Sequence, residues 1–296
     1  NEIDLINVFG EPKEADAQYE YWMSASSYLS YGGVMKVVRA DDDDLKNANA
    51  GVGIASTTTL KIKNYDDYLN NYSTATDFVF AAKNPGSWAN NLKVCYIDDF
   101  ADQTIGITTS DLGAAGATIG AGITAAITGV LPGSGSTSVY TGYVKGIVTG
   151  VSTAASGTTS TVDVKIVSRV SSAGAETRID YAEGDGFSSF HTSDTVYFVN
   201  SSGINTGGMG AAGITPATAV DWYDQQNLGL TNSTVYWSTI APKPGTSVYV
   251  DDRQGHNDQL HIAVVDDLGD VTGIKGNILE KHVDLSKASD AISNVN

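Results

Sequence analysis

Four histidines, one cysteine and scattered carboxylates are the side chains of this 296-residue chain with the chemistry to hold a metal or move a proton. His256 and His261 lie in His256-Asn257-Asp258-Gln259-Leu260-His261. A zinc-hydrolase pair is spaced i, i+4 on a helix with a glutamate between, and this segment has neither the spacing nor the pattern. His261 alternates with Leu260 and Ile262, so on a strand it points away from their face. It reads as a surface residue or a hydrogen-bonded structural one. His191 and His282 have no companions in the sequence. Cys95 has no nearby base and lies in an apolar run, the setting of a buried and unreactive thiol.

The remaining motifs are incomplete. Asp41-Asp42-Asp43-Asp44 lacks the spacing and glycine of a calcium loop and reads as a solvated, self-repelling turn. Gly133-Ser134-Gly135-Ser136 lacks the lysine of a phosphate loop, and the glycines at Gly207-Gly208 lack a dinucleotide fingerprint. No Gly-x-Ser-x-Gly elbow occurs. Asp251-Asp252-Arg253 fits a local ion pair. The expectation is therefore no catalytic residue, no metal site, no cofactor and no enzymatic activity. Trp222, Tyr223, Tyr236 and Trp237 have the aromatic faces to stack on sugars, although aromatics at such spacing more often complete a core.

Composition narrows the partners. A formal net charge of -17 disfavours nucleic acid and anionic membrane, both of which need a basic footprint. One cysteine excludes an internal disulfide framework. Neither a signal peptide nor a membrane span is legible; Ala114 to Leu131 is too rich in Gly, Ala and Thr to span. The chain begins at Asn1 without an initiator methionine, which suggests a piece of a longer protein.

The elements expected to carry these residues begin as α/β. Asn1 to Gly10 reads as a short helix capped by Asn1. Ala15, Tyr19, Trp22, Met23, Ser26 and Leu29 recur at helical spacing up to Gly32-Gly33. Val34 to Ala40 reads as a strand, Tyr65 to Leu69 as a helical patch and Phe78 to Ala82 as a strand. Asn84-Pro85-Gly86 reads as a type II turn. Leu92 to Ile97 has the near-continuous apolar character of a central strand.

After Phe100 the composition shifts: residues 101 to 216 hold 20 of the 32 glycines. Strands are expected at Val139 to Val151, Thr161 to Val170, Glu176 to Tyr181 and Thr195 to Val199, with residues 112 to 135 mobile. Further strands are expected at Val235 to Ile240, Ser247 to Val250 and Leu260 to Val265. Asp266-Asp267-Leu268-Gly269 reads as a hairpin turn, and a helical stretch is expected after Leu285-Ser286.

Two segments carry a family resemblance. The first runs Asp4-Leu5-Ile6-Asn7-Val8-Phe9-Gly10-Glu11-Pro12 and on through Tyr31-Gly32-Gly33-Val34-Met35-Lys36-Val37-Val38-Arg39-Ala40. The second is Phe80-Ala81-Ala82-Lys83-Asn84-Pro85-Gly86-Ser87-Trp88-Ala89-Asn90-Asn91-Leu92-Lys93-Val94. Together they resemble the opening half of the sheath protein of contractile bacteriophage tails. Ala241 to Ser247, Asn257 to Asp266 and Leu279 to Ala288 are similar to later family motifs.

The resemblance covers residues 1 to about 100 and resumes near Asp221. It implies an α+β multidomain fold: an α/β sheath scaffold in residues 1–100 and 221–296, carrying an inserted β-rich, barrel- or sandwich-like outer domain in 101–220. It also implies a structural subunit that polymerises as hexameric rings around the tail tube and contracts to drive that tube through the host envelope. The implied partners are neighbouring sheath subunits, with tube and baseplate contacted through regions mostly outside this chain, which alone is expected to be monomeric. The implied location is the virion tail, assembled in the host cytoplasm. Two alternatives stay open: a tailocin or other contractile injection system, and a phage receptor- or carbohydrate-binding module.

Overall fold

The computed structural model describes residues 1–9, 12, 19–38, 44–50, 60–74, 78–115, 117–129, 140–178, 189–199 and 214–291. The fold is mixed α/β and mostly sheet. It divides into two compact units, Asn1–Ser87 and Trp88–Asn296.

The first unit opens with α1 (Glu2–Phe9), whose Asp4 N–H donates to the Asn1 side chain at 3.0 Å, as the capping residue predicts. Helix α2 (Tyr19–Ser30) follows and closes where Gly32, at φ 81, donates to the Leu29 carbonyl. Val34 to Val38 was expected as a strand, but this segment has no strand pairing, and Val34 and Val38 are 86% and 91% exposed. Its β-branched residues supply propensity, yet a strand needs a partner ladder. Arg39 and Ala40, like Asp41 to Asp43, fall outside the described residues.

Asn47 organises the rest of this unit. Its side-chain amide accepts from Ile62 N–H and donates to the Ile62 and Ala82 carbonyls, joining three segments from one buried position. Beside it β1 (Asn49–Ala50) pairs antiparallel with β2 (Phe80–Ala81). Helix α3 (Tyr65–Asp67), capped by Asn64, runs into one π-helical turn, Tyr68–Tyr72. At Asn84-Pro85-Gly86 glycine takes a positive φ, but at 131° it departs from the value of about +80° of the expected type II turn, and its N–H donates to the distant Lys46 carbonyl.

The second unit contains two sheets. A three-stranded sheet is ordered β12-β11-β3, from β3 (Leu92–Asp98), β11 (Gln259–Asp266) and β12 (Asn277–Ser286). The Leu92 to Ile97 strand is thus an edge, not the centre: Cys95 and Ile97 are buried while Tyr96 is exposed. Its outward apolar residues made a one-sided edge resemble a two-sided strand.

The second sheet has seven strands. Its path runs β10 (Thr218–Asp221), β4 (Gln103–Thr108), β7 (Thr159–Ser171), β6 (Tyr140–Ser152), β5 (Gly122–Gly129) and β9 (Val196–Val199), with β8 (Glu176–Arg178) against β7. Every pairing is antiparallel. The strands expected at 139–151, 161–170, 176–181 and 195–199 correspond to β6 to β9, with 179–181 outside the described residues. Within residues 112–135, expected to be mobile, the described residues include the end of helix α4 (Thr109–Ala115) and strand β5, which is paired on both sides. Ile123, Ala125 and Ile127 alternate inward there, a period of two carried by small residues.

Glycine permits the close pairing of β6. A Cβ on Gly142 would stand 2.0 Å from the Val170 carbonyl oxygen, and one on Gly146 would meet Val164 and Ile123 at 2.7 and 3.2 Å. Bulges interrupt the β6–β7 register beside Gly146 and again after Val148.

Three further expectations change. Val235 to Ile240 is a bridge residue, Tyr236, followed by a 3₁₀ turn, Trp237–Thr239, that plugs Trp237 into the core. Past the short helix α5 (Trp222–Gln225), Ser247 to Val250 is not a strand: Ser247 caps α6 (Val248–Asp251), accepting from Val250 N–H through its side chain. Local capping chemistry outweighs the β propensity of Val-Tyr-Val. After Ser286 the described residues 287–291 form a turn rather than a helix. No helix among the described residues is long and apolar enough to cross a membrane.

Candidate functional site

The sequence-level candidates do not converge. His191 approaches Asp194 at 3.4 Å and His282 approaches Glu280 at 3.3 Å, both on the surface. His261 alone is fully buried. Its Nδ1 accepts from Asp284 N–H at 3.0 Å, which leaves the proton on Nε2 to donate to the Pro242 carbonyl at 2.8 Å. That is the hydrogen-bonded structural histidine the sequence allows. No group of three or more metal-ligating side chains occurs among the described residues.

Cys95 is buried, donates weakly to the Leu228 carbonyl, and is pushed above the ordinary thiol value chiefly by desolvation. Arg253 stacks over the Tyr249 ring at 3.5 Å and donates to the Tyr249 carbonyl, the engagement that replaces the expected ion pair with Asp251 and Asp252. Gly133 to Ser136 and Gly207-Gly208 fall outside the described residues.

The aromatic candidates separate. Trp222, Tyr223 and Trp237 are core residues, packed with Ala101, Leu228, Ala263 and Val265. The Tyr223 hydroxyl donates to the Ala241 carbonyl at 2.8 Å and is pushed up to about 12, mainly by burial. Only Tyr236 of the four is exposed. A sugar-stacking platform built from this quartet is therefore excluded.

The most concentrated polar chemistry has no local sign in the sequence. Asp99 and Asp102 leave the end of β3, Lys165 comes from β7 and Lys243 from the segment before α6. Lys243 Nζ lies 2.5 Å from Asp102 and 3.1 Å from Asp99. Lys165 Nζ contacts Asp99 and lies 3.2 Å from Asp102. All four side chains are largely buried. Burial alone would depress the Lys243 ammonium, but the two carboxylates outweigh it and hold it above its ordinary value. Two acids and two amines so paired are neutral as a set. Their pairing can lock elements together.

Two buried aspartates do similar work nearby. Asp266 accepts from the N–H groups of Gly269, Val271 and Thr272 and from the Thr272 hydroxyl, winding the β11–β12 connection around one carboxylate. Asp258 accepts from Ser247 N–H and Oγ and from the Ser286 hydroxyl, tying the α6 cap to the end of β12. In the Asn90-Asn91 motif, Asn91 donates to Asp270 at 2.5 Å, joining the start of β3 to that same connection.

No family model matches the chain. No solved structure matches it. Over 54 residues the sequence is 46% identical to the tail sheath protein of Enterobacteria phage T4. The matched stretch is 18% of this chain and 8% of the phage protein. Over that short span the chain is similar to a structural component of a phage tail.

Proposed function

We propose that this chain belongs to the sheath subunit of a contractile bacteriophage tail and serves as a structural, non-enzymatic part of the virion. The observation that carries the proposal is the 46% identity over 54 residues with a phage tail sheath protein. The architecture agrees with such a role: its buried polar groups fix elements against one another, as a load-transmitting subunit requires.

In this account the full-length product packs as helical rings around a tail tube, and the rings shorten to drive the tube through the host envelope. Its partners are other sheath subunits, the tube and the baseplate; the chain by itself is a monomer. The seven-stranded sheet of residues 103–221 is an outer domain inserted into the scaffold. The first unit supplies apolar surface for neighbours, with Tyr31, Val34 and Val38 almost fully exposed.

Electron microscopy of the full-length gene product expressed alone tests the proposal. Long tubes of contracted diameter support it, and discrete particles that bind glycans overturn it.

A further inference from the structure

We infer that the Asp99–Asp102–Lys165–Lys243 cluster is a latch that sets the angle between the two sheets of the second unit, across a hinge made of two adjacent chain crossings.

Three observations lead there. First, the sheets have separate apolar cores. One is built from residues between Ile105 and Phe198; the other is built from Cys95 to Ala101 and Trp222 to Val265. No buried residue belongs to both. Second, the chain passes from the three-stranded sheet to the seven-stranded one at residues 99–102 and returns at 221–222. The crossings lie side by side, since Trp222 N–H donates to the Asp102 carbonyl at 3.0 Å and Phe100 packs on Trp222 with ring centroids 5.7 Å apart. Third, the four buried charges sit at this waist and draw one partner from each side. Lys165 belongs to the seven-stranded sheet, Lys243 to the part returning toward the three-stranded one, and the two aspartates to the crossing itself.

The chemistry suits orientation better than bulk stability. Apolar residues of similar volume would hold such a waist at least as firmly, because burying charge costs desolvation that pairing only offsets. Charges at fixed separations, however, define one geometry sharply and disfavour displaced ones. Asp102 is itself anchored to β7, accepting from Ile166 N–H at 2.7 Å and donating its own N–H to the Val164 carbonyl at 2.8 Å. Asp102 therefore moves with the seven-stranded sheet, and its bond to Lys243 crosses the hinge, as the contact of Lys165 with Asp99 does from the other side. Opening the latch frees rotation about 99–102 and 221–222 without breaking a strand pairing in either sheet.

The test is a distance measurement between spin labels at Ala126→Cys on β5 and Val283→Cys on β12, in a Cys95→Ala background. The parent is expected to give one narrow distance distribution. Lys243→Met should broaden or shift it while circular dichroism still reports folded sheets that unfold cooperatively at a lowered midpoint, and Lys243→Arg should restore the narrow distribution. An unchanged narrow distribution in Lys243→Met overturns the latch. So does loss of folded structure in both Lys243→Met and Asp99→Asn, which would make the cluster part of a single indivisible core. None of these readouts depends on tube formation, so the latch and the sheath assignment fail separately.

Discussion

His261 and Asp284 meet at a fault in the β11–β12 ladder. Register slips between Leu260↔Leu285 and Ile262↔His282, so Val283 and Asp284 bulge opposite His261. Asp284 takes φ 56, a left-handed conformation, and its N–H is accepted by His261 Nδ1 instead of by a ladder carbonyl. The histidine repairs the hydrogen bond that the bulge removes. Its other nitrogen fixes the Pro242 carbonyl.

His261→Leu should therefore destabilise the fold by about 2–4 kcal/mol, since it strands a donor and an acceptor beside the core. His191→Leu, on the surface, should change stability by less than about 0.5 kcal/mol. Urea unfolding of both variants makes the comparison. Equal midpoints would contradict the structural role assigned to His261.

Truncating one arm of the ionic cluster should cost about 3–5 kcal/mol, because Lys243→Ala leaves two buried carboxylates sharing one amine. The pH direction follows from the raised Lys243 value. Its stabilisation is fully present below the ordinary lysine value and is lost as pH rises through the folded one. The parent should lose stability above about pH 10.5, with Lys243→Ala showing a flatter alkaline limb. Denaturant titrations from pH 7 to 11 measure it.

At the acid end, Asp266 and Asp258 act in the opposite sense. Burial would raise both carboxyls, but the hydroxyl and backbone donors around them win and hold them below the usual carboxylate range. Their contribution is present above about pH 4 and is lost as pH falls through the folded values. Asp266→Asn should reduce stability at pH 7 by about 1–3 kcal/mol and weaken the acid dependence, read by thermal unfolding between pH 3 and 7.

Gly142 in β6 offers a packing test. Gly142→Ala places a methyl against an immovable backbone carbonyl and should cost about 1–3 kcal/mol or more. Ala126→Val, on the exposed face of neighbouring β5, should be neutral or mildly stabilising. Thermal midpoints of the two variants decide it, and equal losses would contradict the close β6–β7 approach.

Much of the fold was legible because it rests on local pattern: the Asn1 cap, the α2 periodicity, the positive φ at Gly86 and the long alternating runs of β6 and β7. What escaped depended on partners far away in sequence. Whether Leu92–Ile97 is central or edge depends on how many strands it meets, and Val34–Val38 has the residues of a strand without a neighbour to pair with. Strand β5 was hidden by small side chains whose alternation is real but weak in hydrophobic contrast. The ionic cluster joins positions as distant as Asp99 and Lys243, each ordinary where it stands. Two missed helical turns did have a local sign: a capping Asp221 before Trp222–Gln225 and a capping Ser247 before an apolar triplet.

Labelling of assembled particles tests the sheath assignment most directly. Antibodies raised against this chain, applied to virions from the source that encodes it, should decorate the tail along its whole length at regular axial intervals, in extended and contracted particles alike. Label confined to fibres or the tail tip, or absent from the tail, would contradict it.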